Sequence, residues 1–309
     1  MPAAMHDDID RQLPVGDEIF LDHVGHFVHD ADAAQRALVR VGFAPTPRSI
    51  QVSPDPAGGT RPTGTGNVTA MLPRGYLEVL FKTADTTLGR EFDAALARHA
   101  GLHLAAFAVA DAERAHARLA SSGFAVRDLV RMQRPVDSET GAQTAAFTIA
   151  RVEPQAMPEG RIQILTHHTE QAVWQPRWLT HPNTAMGLID VVIAAADVEE
   201  AAQRFARFTG RSPTKSQRGV FLHLDRGGVN IVGRHVVTER LPEVAIAKLP
   251  FMAGYAVRVS SLAAAEAAVE RADLEWHAIE GGIVAAFPVE LGEGAWFFVE
   301  DAAMLPWRR

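Results

Sequence analysis

One arrangement of apolar and polar positions opens the chain and sets its pattern. Apolar, β-branched and aromatic side chains dominate residues 19–28, which predicts a strand. Asp30 follows where a helix N-cap belongs, and Ala34, Leu38 and Val41 recur behind it at helical spacing. The start of the chain therefore predicts a strand followed by an amphipathic helix.

The same arrangement begins three more times further along the chain. An apolar stretch precedes each of the predicted helix caps Asp111, Asp197 and Ser261. In the first copy, three more strands are predicted after the helix, at residues 49–53, 67–72 and 75–81. Such recurrence is typical of an internal repeat, so the predicted fold class is α+β with four βαβββ modules.

The modules are expected to pair into two domains. A single module leaves one face of its sheet uncovered, whereas two modules can join curved, mixed sheets around a cup that holds a ligand. We interpret the Gly-rich stretch 58–66 as a hairpin loop over that cup. The expected divisions are an N-terminal arm, a first domain of modules 1 and 2, a linker rich in Trp and Pro, and a degenerate second domain of modules 3 and 4: residues 1–18, 19–166, 167–186 and 187–309.

Composition narrows the chemistry more than the fold. The 309 residues are 47% hydrophobic and 22% charged, with a net charge of −7 and no basic stripe, so a nucleic-acid partner is not expected. No apolar run approaches the ~20 residues needed to cross a bilayer, and residues 1–14 do not resemble a signal peptide. We expect a cytoplasmic protein without a membrane partner. Because cysteine is absent, His, carboxylate and amide groups are the side chains left to bind a metal.

Several short motifs in the first two modules are similar to those of a known superfamily. They are Asp-His-Val-Gly at residues 22–25, Gly-Thr-Gly-Asn at 64–67, Gly-Tyr-Leu-Glu-Val-Leu at 75–80, and His-His-Thr at 167–169 with Val-Trp at 173–174. With these motifs and its four modules, the chain resembles the vicinal oxygen chelate superfamily and, within it, the glyoxalase-like domain proteins. The resemblance is good over residues 19–180 and rests on the repeat pattern alone over 186–300.

The resemblance implies a divalent metal ion inside the cup. In the superfamily, each module can supply one ligand from its first strand and one from its last, and the matching positions in modules 1 and 2 include His23, Glu78 and Gln163. Leu104 stands where a second His is expected. The matching positions in modules 3 and 4 are Asp190, Asn230, Gly254 and Phe297. The resemblance does not identify the ion.

Strand alternation separates the histidines near the cup, because neighbouring side chains point to opposite faces of a sheet. His23 then faces the cup, His26 is expected under the helix and His29 at the strand end in solvent. His103, next to Leu104, is expected to face away from the cup unless a β-bulge re-aims it. His23 is either a metal ligand or a hydrogen-bonded core histidine.

Further polar residues are candidates for catalysis or substrate binding. Glu78 interrupts an apolar strand, so its carboxylate needs a metal, an arginine or water beside it and could also shuttle a proton. His167 and His168, at the lip of the cup, are candidate general bases. Arg134 and Arg161 could bind a carboxylate, although arginines at such positions are commonly solvated or paired. The candidate substrate contacts are Tyr76, Asn67, Arg134 and Trp174.

Three functions remain open at this point. The leading hypothesis is a lyase or isomerase of the glyoxalase I type, in which a divalent ion polarises adjacent oxygens of a small oxygenated metabolite. The alternative is a metal-free protein that binds or sequesters a small molecule, as antibiotic-resistance members of the superfamily do. Extradiol ring cleavage is less favoured, because its two His and one Glu belong in the C-terminal half, where Asp190, Asn230 and Gly254 stand. That half could also serve a homodimer.

Overall fold

The computed structural model describes residues 11–139, 141–216 and 218–308, so most of the expected N-terminal arm lies outside the described residues. The first half contains strands β1 Ile19–Phe27, β2 Ser49–Pro54, β3 Thr60–Met71, β4 Tyr76–Lys82, β5 Gly101–Val109, β6 Val130–Ser138, β7 Gly141–Arg151 and β8 Arg161–His167. The second half contains strands β9 Ala185–Ala195, β10 Pro213–Ser216, β11 Gly219–His223, β12 Gly228–Gly233, β13 Phe251–Val259, β14 Trp276–Ile279, β15 Gly282–Ala286 and β16 Ala295–Val299.

Short helices connect these strands. They are α1 Ala31–Arg40, α2 Thr87–Leu96, α3 Ala112–Ser121, α4 Glu170–Val173, α5 Val198–Thr209, α6 Arg234–Arg240 and α7 Leu262–Arg271. Across the described ranges, no helix has the length and hydropathy needed to span a bilayer.

The four predicted helix caps are confirmed. The side chains of Asp30 and Asp111 each accept hydrogen bonds from two backbone N–H groups in the first turns of α1 and α3. Asp197 and Ser261 each accept one such bond, in α5 and α7. Since each cap satisfies N–H groups that the helix itself leaves unpaired, the repeated caps define where the helix of each module begins.

The first eight strands close into a barrel in the order β1-β4-β3-β2-β6-β7-β8-β5. In each module the first strand runs parallel to the last, β1 beside β4 and β5 beside β8. β1 and β5 pair antiparallel along one seam. On the opposite seam, β2 meets β6 through the pairing of Val52 with Gln133. Modules 1 and 2 therefore enclose one interior, as the α+β prediction of a curved mixed sheet requires.

The last eight strands form a second sheet in the order β10-β11-β12-β9-β13-β16-β15-β14. Modules 3 and 4 occur in it with the same parallel and antiparallel pairings. The two sheets share a continuous hydrophobic core that includes Leu21, Phe107, Phe205 and Trp296. The segment between them, where a linker was expected, carries α4 and reaches β9 by residue 185.

Two local predictions differ from the structure. β3 already begins at Thr60, so Gly64-Thr65-Gly66 lies inside a strand and not in a hairpin loop. The strand extends this far because Gly66 pairs with both β2 and β4, and a Cβ on it would lie 2.7 Å from the Phe81 ring.

His26 lies under the second sheet, not under α1: its Nδ1 donates to the Leu291 carbonyl and its Nε2 accepts from the Tyr255 hydroxyl.

Candidate active site in the N-terminal barrel

The interior of the barrel contains a small cavity surrounded by polar side chains. Its volume is about 30 Å³, which is room for about two water molecules. His23, Glu78 and Gln163, the three predicted metal ligands, all line it, and so does Leu104. The residues His23, Glu78 and Gln163 are each less than 5% exposed. Alternation along β1, β4, β5 and β8 thus brings together the residues that the sequence placed on the cup face.

His23 is held by a buried carboxylate, Asp22. His23 Nδ1 donates to Asp22 Oδ2 at 2.7 Å, and His167 Nε2 donates to the same carboxylate at 3.0 Å. The side chains of the adjacent residues Asp22 and His23 reach one another because the β1–β5 register shifts between Leu21 and His23. This shift marks a β-bulge at Asp22. With its Nδ1 proton committed to Asp22, the Nε2 lone pair of His23 is free to accept a proton or bind an ion.

The electrostatics of Asp22 favour the ionised carboxylate. Burial by itself raises the pKa of Asp22, but the charge of His167 and the hydrogen bonds from His167 and His23 outweigh burial and hold the pKa well below its usual range. Gly75, in the turn before β4, has a φ of 72° and packs against the Asp22 backbone; a Cβ there would lie 2.6 Å from the Asp22 carbonyl oxygen. This close approach fixes β4 beside β1.

Glu78 faces His23 across the cavity. Its Oε2 lies 3.7 Å from His23 Nε2. Its Oε1 accepts hydrogen bonds from Asn67 Nδ2 at 2.6 Å and from Gln51 Nε2 at 3.2 Å. Thr65 Oγ1 in turn donates to Gln51 Oε1 at 2.6 Å. One carboxylate oxygen is therefore fixed by amides, and the other is directed at the imidazole.

Aromatic rings cover one side of His23. The Tyr76 ring stacks on the imidazole with centroids 4.3 Å apart, and Trp174 meets Tyr76 edge-on at 6.0 Å. Burial, followed by the negative charges of Asp22 and Glu78, raises the pKa of Tyr76 well above its usual value. Tyr76 is therefore a neutral phenol that restricts the imidazole to one plane.

Three arginines enter the same barrel. Arg134 comes from β6, Arg151 from the end of β7 and Arg161 from the start of β8, and all three line the cavity. Arg151 Nε donates to Gln163 Oε1 at 3.0 Å, and the Arg161 guanidinium lies 4.8 Å from the centre of the Phe27 ring. Within the ranges that the structure describes, none of the three has a carboxylate within ion-pair distance.

Burial without a carboxylate partner lowers the pKa of all three guanidinium groups. The pKa of Arg151 falls to about 9, with the positive charge of Arg161 adding to the effect of burial. The pKa of Arg161 falls to about 10, again chiefly through burial. For Arg134, burial lowers the pKa, while the negative charge of Glu78 opposes the shift. The barrel therefore holds more positive charge than its own acids neutralise.

The remaining candidates lie outside this interior. His168 follows His167 but is exposed, and its Nε2 contacts Thr148 Oγ1 at 2.7 Å, because adjacent residues of β8 point to opposite sides of the barrel wall. His103 is buried and hydrogen-bonds the His99 carbonyl through Nε2, away from the cavity around His23. His29 is exposed. His167 is thus the member of the His-His pair that reaches the Asp22 carboxylate.

Comparison with known proteins places this barrel in a family. The model of the glyoxalase-like domain family matches residues 21–209, more than half of the chain. The chain belongs to this family. The match extends beyond the barrel into β9 and α5 of the second sheet. A search of curated proteins found no match.

Solved structures share the fold of this glyoxalase-like protein over about nine tenths of its length. A hypothetical protein from Staphylococcus aureus aligns at a TM-score of 0.62 and 10% identity, covering 91% of this chain and 98% of that one. A variant of 4-hydroxymandelate synthase from Streptomyces coelicolor aligns at 0.58 and 14% identity, covering 91% and 92%. A Mn(II)-bound glyoxalase from Novosphingobium aromaticivorans aligns at 0.51 and 12% identity, covering 92% and 82%. All three similarities concern the vicinal oxygen chelate fold.

The donor set of this glyoxalase-like protein does not complete a metal site. His23 Nε2 and Glu78 Oε2, 3.7 Å apart, are slightly wider than the roughly 3.0–3.4 Å expected of two ligands about 2.1 Å from one ion. Gln163 Oε1 already accepts a hydrogen bond from Arg151, and Leu104 is apolar. In the described parts of the chain, no group of three or more His, Asp or Glu is placed to hold an ion. The surrounding guanidinium groups add repulsion against a dication.

The matching positions of the second sheet carry different side chains and are partly covered by the end of the chain. Asp190, the counterpart of His23, is fully buried and accepts hydrogen bonds from Trp307 Nε1 at 2.7 Å and Arg308 Nε at 2.8 Å. Asn230 and Phe297 line a cavity of about 60 Å³ that Trp307 also borders. The end of the chain thus occupies the concave face of the degenerate half.

Three residues of the site were not predicted from the sequence. Asp22 had a signal, because a carboxylate within an apolar strand needs a partner and His23 stands next to it. Gln51 and Arg151 had no such signal: they enter the barrel through the register of β2 and β7, which no local pattern reveals.

Proposed function

We propose that the N-terminal barrel is the active site of a lyase or isomerase that moves a proton on a small, anionic, oxygenated metabolite. In this proposal His23 is the general base and Glu78 is its proton-carrying partner, while the arginines bind the anion. The observation that carries the proposal is the convergence of three arginines without carboxylate partners on a cavity that also contains an oriented histidine.

The geometry of His23 supports its role as the base. Asp22 holds the Nδ1 proton, so the neutral ring has its Nε2 lone pair on the side of Glu78. Nε2 accepts a proton from a carbon beside a carbonyl, and the electron pair of the broken C–H bond moves to the carbonyl oxygen. The proton then returns to a neighbouring atom from the imidazolium or through Glu78. General acid–base groups of this kind contribute about 10²–10⁴-fold to rate.

The arginines supply the complementary charge. A carboxylate and an enolate oxygen both carry negative charge, and guanidinium donors that are already oriented stabilise such charge without further reorganisation. Glu78 is the one acid lining the cavity, so an anionic substrate restores the charge balance there. The small volume of the cavity admits the reacting head group alone.

Hydrogen exchange on simple acids tests the proposal. A panel of 2-oxo acids of three or four carbons and 2-hydroxy acids of two to four carbons is incubated with the protein in D₂O. Loss of the proton signal beside the carbonyl, C3–H in the 2-oxo acids and C2–H in the 2-hydroxy acids, is followed by NMR. We expect exchange with at least one acid. The exchange rate should fall by about 100-fold or more in His23→Gln and Glu78→Gln, and Arg134→Gln should need a higher acid concentration to reach its half-maximal rate.

The controls separate catalysis from binding. His168→Gln, an exposed neighbour of the site, should keep the wild-type rate. Binding of the acids without exchange would contradict proton transfer and support the alternative of a binding or sequestering protein. No binding of any acid in the panel would contradict the anion site itself.

Whether the barrel binds the predicted divalent ion is tested by a separate measurement. A metal site at His23, Glu78 and Gln163 requires Arg151 to release the Gln163 oxygen, so the proposal assigns proton transfer to the side chains alone. Elemental analysis of protein purified without chelator or histidine tag is expected to find less than about a tenth of an equivalent of transition metal. Stoichiometric metal that is lost in both His23→Gln and Glu78→Gln would restore the metal-dependent form of the proposal.

A further inference from the structure

A second, larger cavity lies against the barrel and shares part of its wall. Its volume is about 330 Å³, which falls in the range of about 300–1,000 Å³ for ligand pockets. We call it the side cavity; it lies between α2 and the segment that joins β7 to β8. Arg151 and Arg161 line both the side cavity and the small cavity around His23.

The side cavity is mainly apolar. Its apolar lining includes Phe27, Ala94, Ala95, Val152, Met157 and Ile162. Two of its cations already have partners: Arg127 pairs with Glu91 and Glu153, and Arg98 donates to the backbone carbonyls of Pro158 and Pro250. Among the described residues, Arg151 and Arg161, at the wall shared with the barrel, have neither a carboxylate within ion-pair distance nor a backbone carbonyl partner. An apolar chamber with positive charge at one end is complementary to a molecule that has an apolar body and a negatively charged end.

We propose that the side cavity binds the apolar body of an amphipathic carboxylate, whose head group is held by Arg151 and Arg161 where the two cavities meet. This inference rests on the proposed function, since it takes the arginine cluster as the anion site. It adds the substrate class: the barrel cavity of about 30 Å³ is too small for a whole metabolite, and the side cavity provides the space for the remainder.

A homologous series of acids tests the inference. Acetate, butyrate, hexanoate and octanoate are titrated into the full chain by calorimetry at low ionic strength. Each methylene buried in an apolar site strengthens binding by up to about fourfold, so affinity should rise steadily along the series. Octanamide, which lacks the charge, should bind at least tenfold more weakly than octanoate.

Variants then locate the binding. Ala94→Phe fills the side cavity from an exposed position of α2 and should abolish the dependence on chain length while leaving acetate binding unchanged. Ala97→Phe, on the exposed surface at the end of the same helix and outside the cavity lining, is the matched control and should behave as wild type. Arg161→Gln should weaken every acid by about tenfold or more. Circular dichroism checks that each variant folds.

The binding results distinguish failure of the side-cavity inference from failure of the proposed function. If Arg161→Gln weakens acetate but the wild type shows no chain-length dependence, the side cavity is not the binding site and the proposed function still stands. If octanamide binds as well as octanoate, the cavity accepts apolar bodies without using the arginines. If no acid binds at all, both the inference and the proposed function fail.

Discussion

Replacing Arg161 by methionine should make the ligand-free protein more stable. The guanidinium carries its charge in a half-buried position, and its close partner among the described residues is the Phe27 ring. Methionine keeps the length and apolar packing of the side chain and removes the charge. The variant therefore measures what the uncompensated charge costs the folded state.

The magnitude follows from the pKa of Arg161. Burial lowers it from 12.5 to about 10, and at 1.36 kcal/mol per unit this corresponds to an unfavourable burial of about 3 kcal/mol. The contact with the Phe27 ring, worth about 1 kcal/mol, is lost in the variant. We expect the free energy of unfolding to rise by about 1–2 kcal/mol, a direction that few core substitutions take.

Urea unfolding in a zwitterionic buffer free of carboxylate and phosphate is the assay, with octanoate added in a second series. Octanoate at about 100 times its dissociation constant should stabilise the wild type by about 2.7 kcal/mol. Arg161→Met, which should bind octanoate about tenfold more weakly or worse, should gain at most about 1.4 kcal/mol, so the stability advantage of the variant shrinks by about 1.3 kcal/mol or more. Arg90→Met is the control: Arg90 lies on α2 with a side chain 60% exposed and a single ion pair to Asp85, and its effect should stay within about 0.5 kcal/mol. A loss of more than about 1 kcal/mol in ligand-free Arg161→Met would refute the reasoning, because Arg161 would then support the fold.

Two further predictions concern buried titratable groups. Asp22→Asn removes charge-assisted hydrogen bonds to His23 and His167 and should lower the free energy of unfolding at pH 7 by about 2–4 kcal/mol. Because the folded pKa of Asp22 is lowered, this wild-type advantage should be complete above about pH 4 and shrink as the pH falls further; a difference that stays constant to pH 2 would contradict it. Burial lowers the pKa of His26 to about 4, so the unfolded chain binds more protons between about pH 6.5 and 4 and stability should fall across that window. His26→Gln should make this fall shallower in the same titrations, and an unchanged slope would show that other groups cause it.

The pattern of apolar and polar residues along the chain was sufficient to predict its four modules. Asp30, Asp111, Asp197 and Ser261 each cap a helix, because a side-chain oxygen beside the first turn satisfies N–H groups that have no other partner. This chemistry involves only neighbouring residues, so it can be read from the sequence. The order of strands and helices follows from it.

The resemblance to the superfamily was likewise sufficient to place His23, Glu78 and Gln163 around one cup, and the cavity they line agrees with that. Alternation failed where a strand is irregular. A bulge brings Asp22 onto the His23 imidazole, and bulges depend on how two strands pair, which one strand's sequence does not reveal.

The sequence by itself determined four βαβββ modules and the facing of their regular strands, because caps and alternation are local. Only the tertiary structure decided what those modules surround. Closing the barrel through β2 and β6 brought Gln51 and Arg134 to a cavity that already held Glu78, and the ends of β7 and β8 added Arg151 and Arg161. An arginine in a strand is ordinarily solvated. Whether it is buried without a carboxylate partner depends on strands far away in the chain, and in this protein that burial supports the proposed anion site.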